Sequence, residues 1–400
     1  MTLSEELTWR GFAHQTTFAD VTAINEPKTF YLGVDPSAAS MHIGNLAAVM
    51  LVKQLVRHGH KAIVLVGGAT GMVGDPKQDA ERELKTLDEI AHNKAGIAAQ
   101  YRTLLEGESF ELVDNYDWFK DIGYLAFLRD IGKHFSMTQL LDREFVKARI
   151  GEGGNGISYA EFSYGLIQGY DFLHLFREKG ATLQIGGSDQ WGNMLSGAQM
   201  IKKLESADAY VWTVPLILDT AGNKFGKSEG NAVWLDAELT SPFKFYQFWL
   251  NVDDAGVGNY LKIFTSIEPE QFDELMVEFA AQPGVRAAQQ YLAYEVTKLV
   301  HGVDRAEQAR NVTASLFGAT PFSQLLSEEL AMLAAEIPVS VSGSVVNALV
   351  TSGVCSSNGE ARRLIDGGAV SINGEKITAD RDVTAPSLIK KGKNSFVLVR

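Results

Sequence analysis

Ala62-Ile63-Val64-Leu65-Val66 is an unbroken apolar run closed by Gly67-Gly68. A strand with one face in water alternates apolar and polar residues, whereas a strand covered on both faces does not. The run therefore reads as a strand inside a parallel sheet with helices on both sides. Its neighbours support this reading. Phe30-Tyr31-Leu32-Gly33-Val34 reads as a strand ended by a turn at Pro36. The stretch from Ile43 to Arg57 reads as a helix closed by Gly59, with Ile43, Leu46 and Met50 near one face. Leu183-Gln184-Ile185 and Val214-Pro215-Leu216-Ile217-Leu218 are further strand candidates. Alternation of strand and helix predicts an α/β, Rossmann-like, doubly wound parallel sheet over residues 1–220.

The remainder is organised differently. Residues 221–318 read as mainly helical, with Val285, Ala288, Leu292, Val296 and Leu299 spaced as one apolar seam. Residues 319–340, with Pro321 and Pro338, read as a linker. Residues 341–400 read as a small α+β module. There, Ser357-Asn358-Gly359-Glu360 matches a capping box, and Asn373-Gly374 marks a type I′ hairpin between Val370-Ser371-Ile372 and Glu375-Lys376-Ile377. Phe396–Val399 reads as a last strand.

Charge follows the same division. The net charge is −13, yet the segment from Val341 onward holds eight Lys/Arg against five Asp/Glu. An acidic body with a basic tail suits local contact with a polyanion and not wholesale nucleic-acid binding. Cys355 is the only cysteine, which excludes an intramolecular disulfide and a multi-cysteine zinc site and fits a reducing cytoplasm. No apolar run approaches the ~20 residues a bilayer requires, and the acidic start Met1–Leu7 lacks a signal-peptide pattern. A cytoplasmic protein away from membranes is expected.

Several segments have residue types suited to phosphate or amino-acid chemistry. His42-Ile43-Gly44-Asn45 lies where a strand turns into a helix, and unpaired helix N–H groups favour phosphate; a surface histidine at a helix start is the alternative. Lys224-Phe225-Gly226-Lys227-Ser228 suits a mobile phosphate clamp, or a solvated basic turn. Gly67–Asp75 departs from the dinucleotide fingerprint G-x-G-x-x-G; its glycines permit close packing or ligand approach, or form a tight turn with Asp75 capping the segment after it. Tyr164, Gln168 and Asp171 share one helix face, either recognising an amino acid or facing solvent. Gly186-Gly187-Ser188-Asp189-Gln190-Trp191-Gly192 follows a strand, where open sheets bind ligands, or is a loop punctuated by glycines.

In this order the five blocks resemble class I aminoacyl-tRNA synthetases, specifically the bacterial-type tyrosyl-tRNA synthetases. Tyr31–Ser37 leading into His42–Asn45 looks like the HIGH signature, Lys224–Ser228 looks like the KMSKS loop, and the tail resembles the S4 RNA-binding module. The resemblance implies ATP-dependent activation of tyrosine and its transfer to tRNA(Tyr). It implies that Tyr31 and Asp171 bind the substrate phenol, that Asp75, Tyr164 and Gln168 hold its amino group, and that Gln190 meets its carboxyl region. For ATP it implies that His42 and Asn45 meet the phosphates and that Gly187 and Asp189 bind adenosine, with Asp35 near Gln190 at the reacting carboxyl region; Gly33, Ser37 and Gly44 complete the ATP-binding set with Lys227. Lys224, Lys227 and Ser228 would close over pyrophosphate, and Arg82 matches a mobile-loop arginine of the family, with Lys77 a weaker match. Two departures stand out: Asn45 replaces the second histidine of HIGH, and Phe225-Gly226 replace Met-Ser of KMSKS.

ATP with Mg²⁺ is implied as substrate, with no tightly bound cofactor and no protein metal site. A homodimer is implied, joined near residues 115–150, where Phe127, Leu128, Phe135, Leu140 and Leu141 are apolar enough to serve, or to be core. Lys202, Lys203, Arg362, Arg363, Lys390, Lys391 and Lys393 are candidate tRNA contacts, or solvated surface. A tryptophanyl-tRNA synthetase, a non-catalytic RNA-binding protein and a nicotinamide-dependent oxidoreductase are the competing readings.

Overall fold

The computed structural model describes residues 1–76, 83–141, 144–218, 222, 225–226, 232–318 and 320–400. The chain forms two compact units. One comprises residues 1–240 and 252–288, the other residues 241–251 and 289–400.

The first unit is built on a six-stranded sheet. Its strands are β1 (Gln15–Thr16), β2 (Thr29–Val34), β3 (Lys61–Val66), β4 (Phe110–Val113), β5 (Ala181–Gly187) and β6 (Tyr210–Val214). Their order is β1-β6-β5-β2-β3-β4. All neighbouring strands run parallel except the edge pair β1 and β6. The doubly wound expectation holds, and residues 62–66 are buried throughout. Strand order reverses between β2 and β5, which opens a crevice at their carboxyl ends. Tyr31 of β2 lies opposite Gln184 of β5 there.

Two sequence expectations fail locally. The strand expected over Val214–Leu218 lies earlier, at Tyr210–Val214. Pro215 has no N–H to give the ladder, and Leu216 and Leu218 face solvent instead of a core. Gly67–Asp75 is also more than a turn, because Gly68–Val73 is a short helix. By contrast, the Ile43–Arg57 helix has the expected bounds, and Gly59 follows it at φ +86°.

The first helix, Leu3–Arg10, is fastened to the distant part of the same unit. Arg10 is 1% exposed. Its Nε donates to Glu6 Oε1 at 2.7 Å, and its terminal nitrogens donate to the carbonyls of Lys262, Thr265 and Ile267. A buried guanidinium is tolerable only when its donors are satisfied in this way.

In the second unit the helices Pro242–Leu250, Val303–Phe317 and Ser327–Glu336 accompany most of Ala287–His301. The expected seam is fully buried at Ala288, Leu292 and Val296. Val285 falls outside it: Pro283-Gly284 and a left-handed Arg286 break the chain first. Residues 319–340 are not a bare connection. Their helix buries Leu333 with Phe322, Leu325, Val312, Leu316 and Phe243.

The last residues add β7 (Val339–Ser340), β8 (Gly343–Ser344), β9 (Val370–Ile372), β10 (Glu375–Ile377), β11 (Asp382–Val383), β12 (Ser387–Lys391) and β13 (Ser395–Val399). Five of them form a sheet in the order β10-β9-β12-β13-β7. Successive side chains on a strand face opposite ways. Ile389, Val397 and Val399 thus join one core with Val345, Leu349 and Ile365, while Leu388, Phe396 and Leu398 join the cluster around Leu333. Asn373 and Gly374 take positive φ, as a type I′ turn requires. The box at Ser357 is one-sided. Ser357 Oγ accepts from Glu360 N, but Glu360 accepts from Ser356 and not from Ser357.

Candidate active site

The crevice between β2 and β5 holds a cavity of about 360 Å³. Every described residue expected to bind tyrosine or ATP lines it: Tyr31, Gly33, Asp35, Ser37, His42, Gly44, Asn45, Asp75, Tyr164, Gln168, Asp171, Gly187, Asp189 and Gln190. Arg82, Lys224, Lys227 and Ser228, together with Lys77, lie outside the described residues.

One end of the cavity is deeply buried. Tyr31 is 1% exposed, and its hydroxyl has no hydrogen-bond partner among the described residues. Burial, and then the charge of Asp171, push its ionisation well above the ordinary tyrosine range. Asp171 stands on the Tyr159–Lys179 helix, 2% exposed. Asn115 Nδ2 and Trp118 Nε1 donate to its two oxygens at 3.1 and 2.9 Å. Burial pushes this carboxyl well above its ordinary value, and those two donors pull the other way. The buried Oε1 atoms of Gln168 and Gln184 also lack partners among the described residues. Buried polar groups without partners are rare in folded proteins, and several of them lining one cavity indicate a polar ligand.

Carboxylates gather farther out. Tyr164 Oη donates to Asp35 Oδ2 at 2.9 Å. Asp75 accepts from Gln190 Nε2 at 2.9 Å and from Asn193 Nδ2 at 3.4 Å. Asp75 is placed by the Gly68–Val73 helix, whose first N–H groups are capped by Asp114 and Asn115. A Cβ on Gly68 would overlap the Asp114 carboxylate, so the glycine admits the cap.

At the start of the Ile43–Arg57 helix, His42 Nδ1 accepts from Gly44 N at 3.0 Å, and Asn45 Oδ1 accepts from His42 N at 3.1 Å. An accepting Nδ1 places the ring proton on Nε2. A Cβ on Gly44 would come within 2.8 Å of the His42 ring, so Gly44 makes room for the imidazole. Phe225 is buried and stacks on Tyr260 at 4.3 Å. Gly226 has φ +76°, and a Cβ there would overlap Ile43.

The basic candidates are separated by their surroundings. Lys203, Arg362, Arg363 and Lys393 are exposed. Lys202 pairs with Asp208 at 2.7 Å. Lys390 donates to Leu316 O and lies over the Phe396 ring, and Lys391 donates to Val354 O and pairs with Glu360. Of the apolar residues in 115–150, Phe127 and Phe135 pack on the core, Leu128 is half-buried and Leu140 is buried. Leu141, with Tyr124, Leu125 and Met137, is exposed.

The model of the class I tRNA synthetases for tryptophan and tyrosine matches residues 22–318, and that of the tyrosine–tRNA ligase C-terminal domain matches residues 329–400. The whole chain is 42% identical to the tyrosine–tRNA ligase of Bacteroides thetaiotaomicron, covering 99% of that protein. The chain belongs to the tyrosine–tRNA ligases. A second ligase of this family, from Bacillus cereus, is 42% identical over the full length of both chains. A C-terminally truncated mitochondrial tyrosyl-tRNA synthetase of Aspergillus nidulans superposes with a TM-score of 0.69 at 31% identity, over 77% of this chain and 92% of its own. The C-terminal match sets aside the tryptophanyl reading.

Sequence reasoning missed Gln184, which lines the cavity, and Asn115, Trp118 and Asn193, which hydrogen-bond to residues that line it. Gln184 carried a signal, being an amide inside an apolar strand. Asn193 lies one helical turn from Gln190. Asn115 and Trp118 carried none, because their partner Asp171 is more than 50 residues away in sequence.

Proposed function

We propose that this chain joins L-tyrosine to tRNA(Tyr) in two steps within the crevice between β2 and β5. ATP first activates tyrosine as tyrosyl-adenylate, and the 3′-terminal adenosine of the tRNA then accepts the tyrosyl group. The observation that carries this reading is the Tyr31 hydroxyl, buried beside Asp171 and without a hydrogen-bond partner among the described residues. A substrate phenol can accept from Tyr31 and donate to Asp171, satisfying both. Phenylalanine would leave the Tyr31 hydroxyl unsatisfied, at a cost of about 1–3 kcal/mol, and would forgo the added donor to Asp171.

Asp75, Tyr164 and Gln168 are suited to the substrate ammonium, since Asp75 and the Asp35 partner of Tyr164 bring negative charge to that wall. The tyrosine carboxylate is already an anion when it attacks the α-phosphate, so neither a general base nor a covalent enzyme intermediate is required. The protein's work is positioning and stabilising charge that develops on the phosphates. His42, with its proton on Nε2, and Asn45, through its amide N–H, are donors for that charge, with Gly33 at the end of β2 and Ser37 in the loop after it lining the same cavity. Gly187, Asp189 and Gln190 suit the adenosine side. Lys224, Lys227, Ser228 and Arg82 are proposed for pyrophosphate from the family pattern alone.

Among the described residues no group of three His, Cys, Asp or Glu is placed to hold a metal ion. Mg²⁺ therefore belongs with ATP in this proposal, coordinated largely by phosphate and water. The exposed Tyr124, Leu125, Met137 and Leu141 support a homodimer contact within residues 115–150. Among the described residues no helix is long and apolar enough to cross a membrane, and the cytoplasm is the proposed location.

Amino-acid-dependent ATP–pyrophosphate exchange, run over all twenty amino acids with Mg²⁺, tests the proposal. Exchange with tyrosine alone is expected. Exchange with tryptophan would overturn the pocket assignment, and no exchange from folded protein would overturn the activity.

A further inference from the structure

His42 and Trp234 form a two-residue antiparallel bridge. Ile43 N donates to Val233 O at 3.0 Å, and Leu235 N donates to Met41 O at 2.9 Å. These bonds flank the pair and do not join it, which is the arrangement that brings opposite side chains closest together. The indole accordingly meets the imidazole edge-on, with ring centroids 6.1 Å apart and planes at 63°.

Both partners are fixed from behind. Trp234 N donates to Thr240 Oγ1 at 3.0 Å, and Asp236 N donates to Ser40 Oγ at 3.2 Å. Ser40 Oγ also accepts from Gln100 Nε2, and Gln100 Oε1 accepts from Met41 N. The far side of the imidazole is held by Gly44 N on Nδ1. The ring therefore has a fixed proton position and an aromatic stop.

We infer that Trp234 is a positioning residue for the adenylation step, holding the His42 imidazole at the orientation in which its Nε2–H meets the phosphates. The inference rests on the proposed function of this crevice. Without the indole the imidazole loses one of the contacts that set its angle, and a donor poorly aimed at developing charge loses most of its value in the transition state. Tyrosine binds at the other end of the cavity, so its affinity should not depend on Trp234. The fastening is also local. Val233 N donates to Gly226 O at 3.1 Å, and Gly226 lies against Ile43, so one short stretch joins both signature segments.

The test is a double-mutant cycle in pyrophosphate exchange, with Trp234→Ala, Trp234→Phe, His42→Ala and the His42→Ala/Trp234→Ala pair. Trp234→Ala should lower kcat by about tenfold or more while the tyrosine KM stays within about twofold, the pattern of a contact that matters only in the transition state. Trp234→Phe, which keeps an aromatic edge, should recover most of the loss. In the His42→Ala background Trp234→Ala should cost less than about twofold, because residues acting through one another are not additive. An equal loss with and without His42 would overturn the inference, as would parallel losses in kcat and tyrosine affinity. The wild-type protein in the same assay separates the two ideas. If it exchanges with tyrosine and the cycle is additive, the positioning role alone fails; if it does not exchange at all, the function and the role fail together.

Discussion

The Tyr31 hydroxyl, buried with no hydrogen-bond partner among the described residues, is a group that folding alone would avoid, because an unsatisfied buried donor costs about 1–3 kcal/mol. Tyr31→Phe removes that cost in the ligand-free protein. The variant should therefore melt at an equal or higher temperature while preferring tyrosine over phenylalanine by roughly tenfold less, which is about 1.4 kcal/mol. Differential scanning calorimetry and exchange kinetics on one preparation check both signs. Asp171 adds a pH dependence. Only its ionised form is a full acceptor for the phenol O–H, and burial has raised the pH at which it takes up a proton. The tyrosine KM should rise as pH falls through that raised value and change little above it. Much of this pocket was legible as a pattern, since Tyr164, Gln168 and Asp171 are spaced for one helix face. Its supports were not, because Asn115 and Trp118 reach Asp171 only after the chain has folded.

At the scale of elements, the short Gly68–Val73 helix sets where Asp75 stands. Asp114 caps it by accepting from Gly68 N, accepts also from Tyr116 N, and is held by Lys94. Loss of a capping carboxylate typically costs about 1 kcal/mol. Asp114→Ala should weaken tyrosine binding several-fold with a smaller effect on ATP, measured as separate KM values; an unchanged tyrosine KM would remove the cap from the pocket's support. Elements were readable where local signals and burial agreed, as in the Ile43–Arg57 helix and the Ala62–Val66 run. They were misread where an apolar stretch met solvent. Val214–Leu218 has the composition of a strand, but Pro215 and the exposed Leu216 and Leu218 end it after its first residue. Short helices such as Gly68–Val73 leave little periodic trace.

At the scale of the whole molecule, the last strands are not an appendage. Leu388, Phe396 and Leu398 complete the cluster around Leu333, so a truncation after Ser340 should retain tyrosine-dependent exchange but expose apolar surface and lose solubility. Charge reversal is the cleaner probe of RNA contact. Arg362→Glu with Arg363→Glu touches exposed groups only; it should leave exchange unchanged, weaken tRNA charging, and flatten the salt dependence of binding. Charging equal to wild type would remove these arginines from the contact. The fastening of Arg10 carries a consequence of another kind. Its three carbonyl partners come from residues 262–267, the nearest of them 252 positions later in the chain. A ribosome adding ~5–20 residues per second reaches them roughly ten to fifty seconds after Arg10 is made. Throughout that interval the Arg10 guanidinium is without these three acceptors, and the first unit cannot close until more than half of the chain has been synthesised.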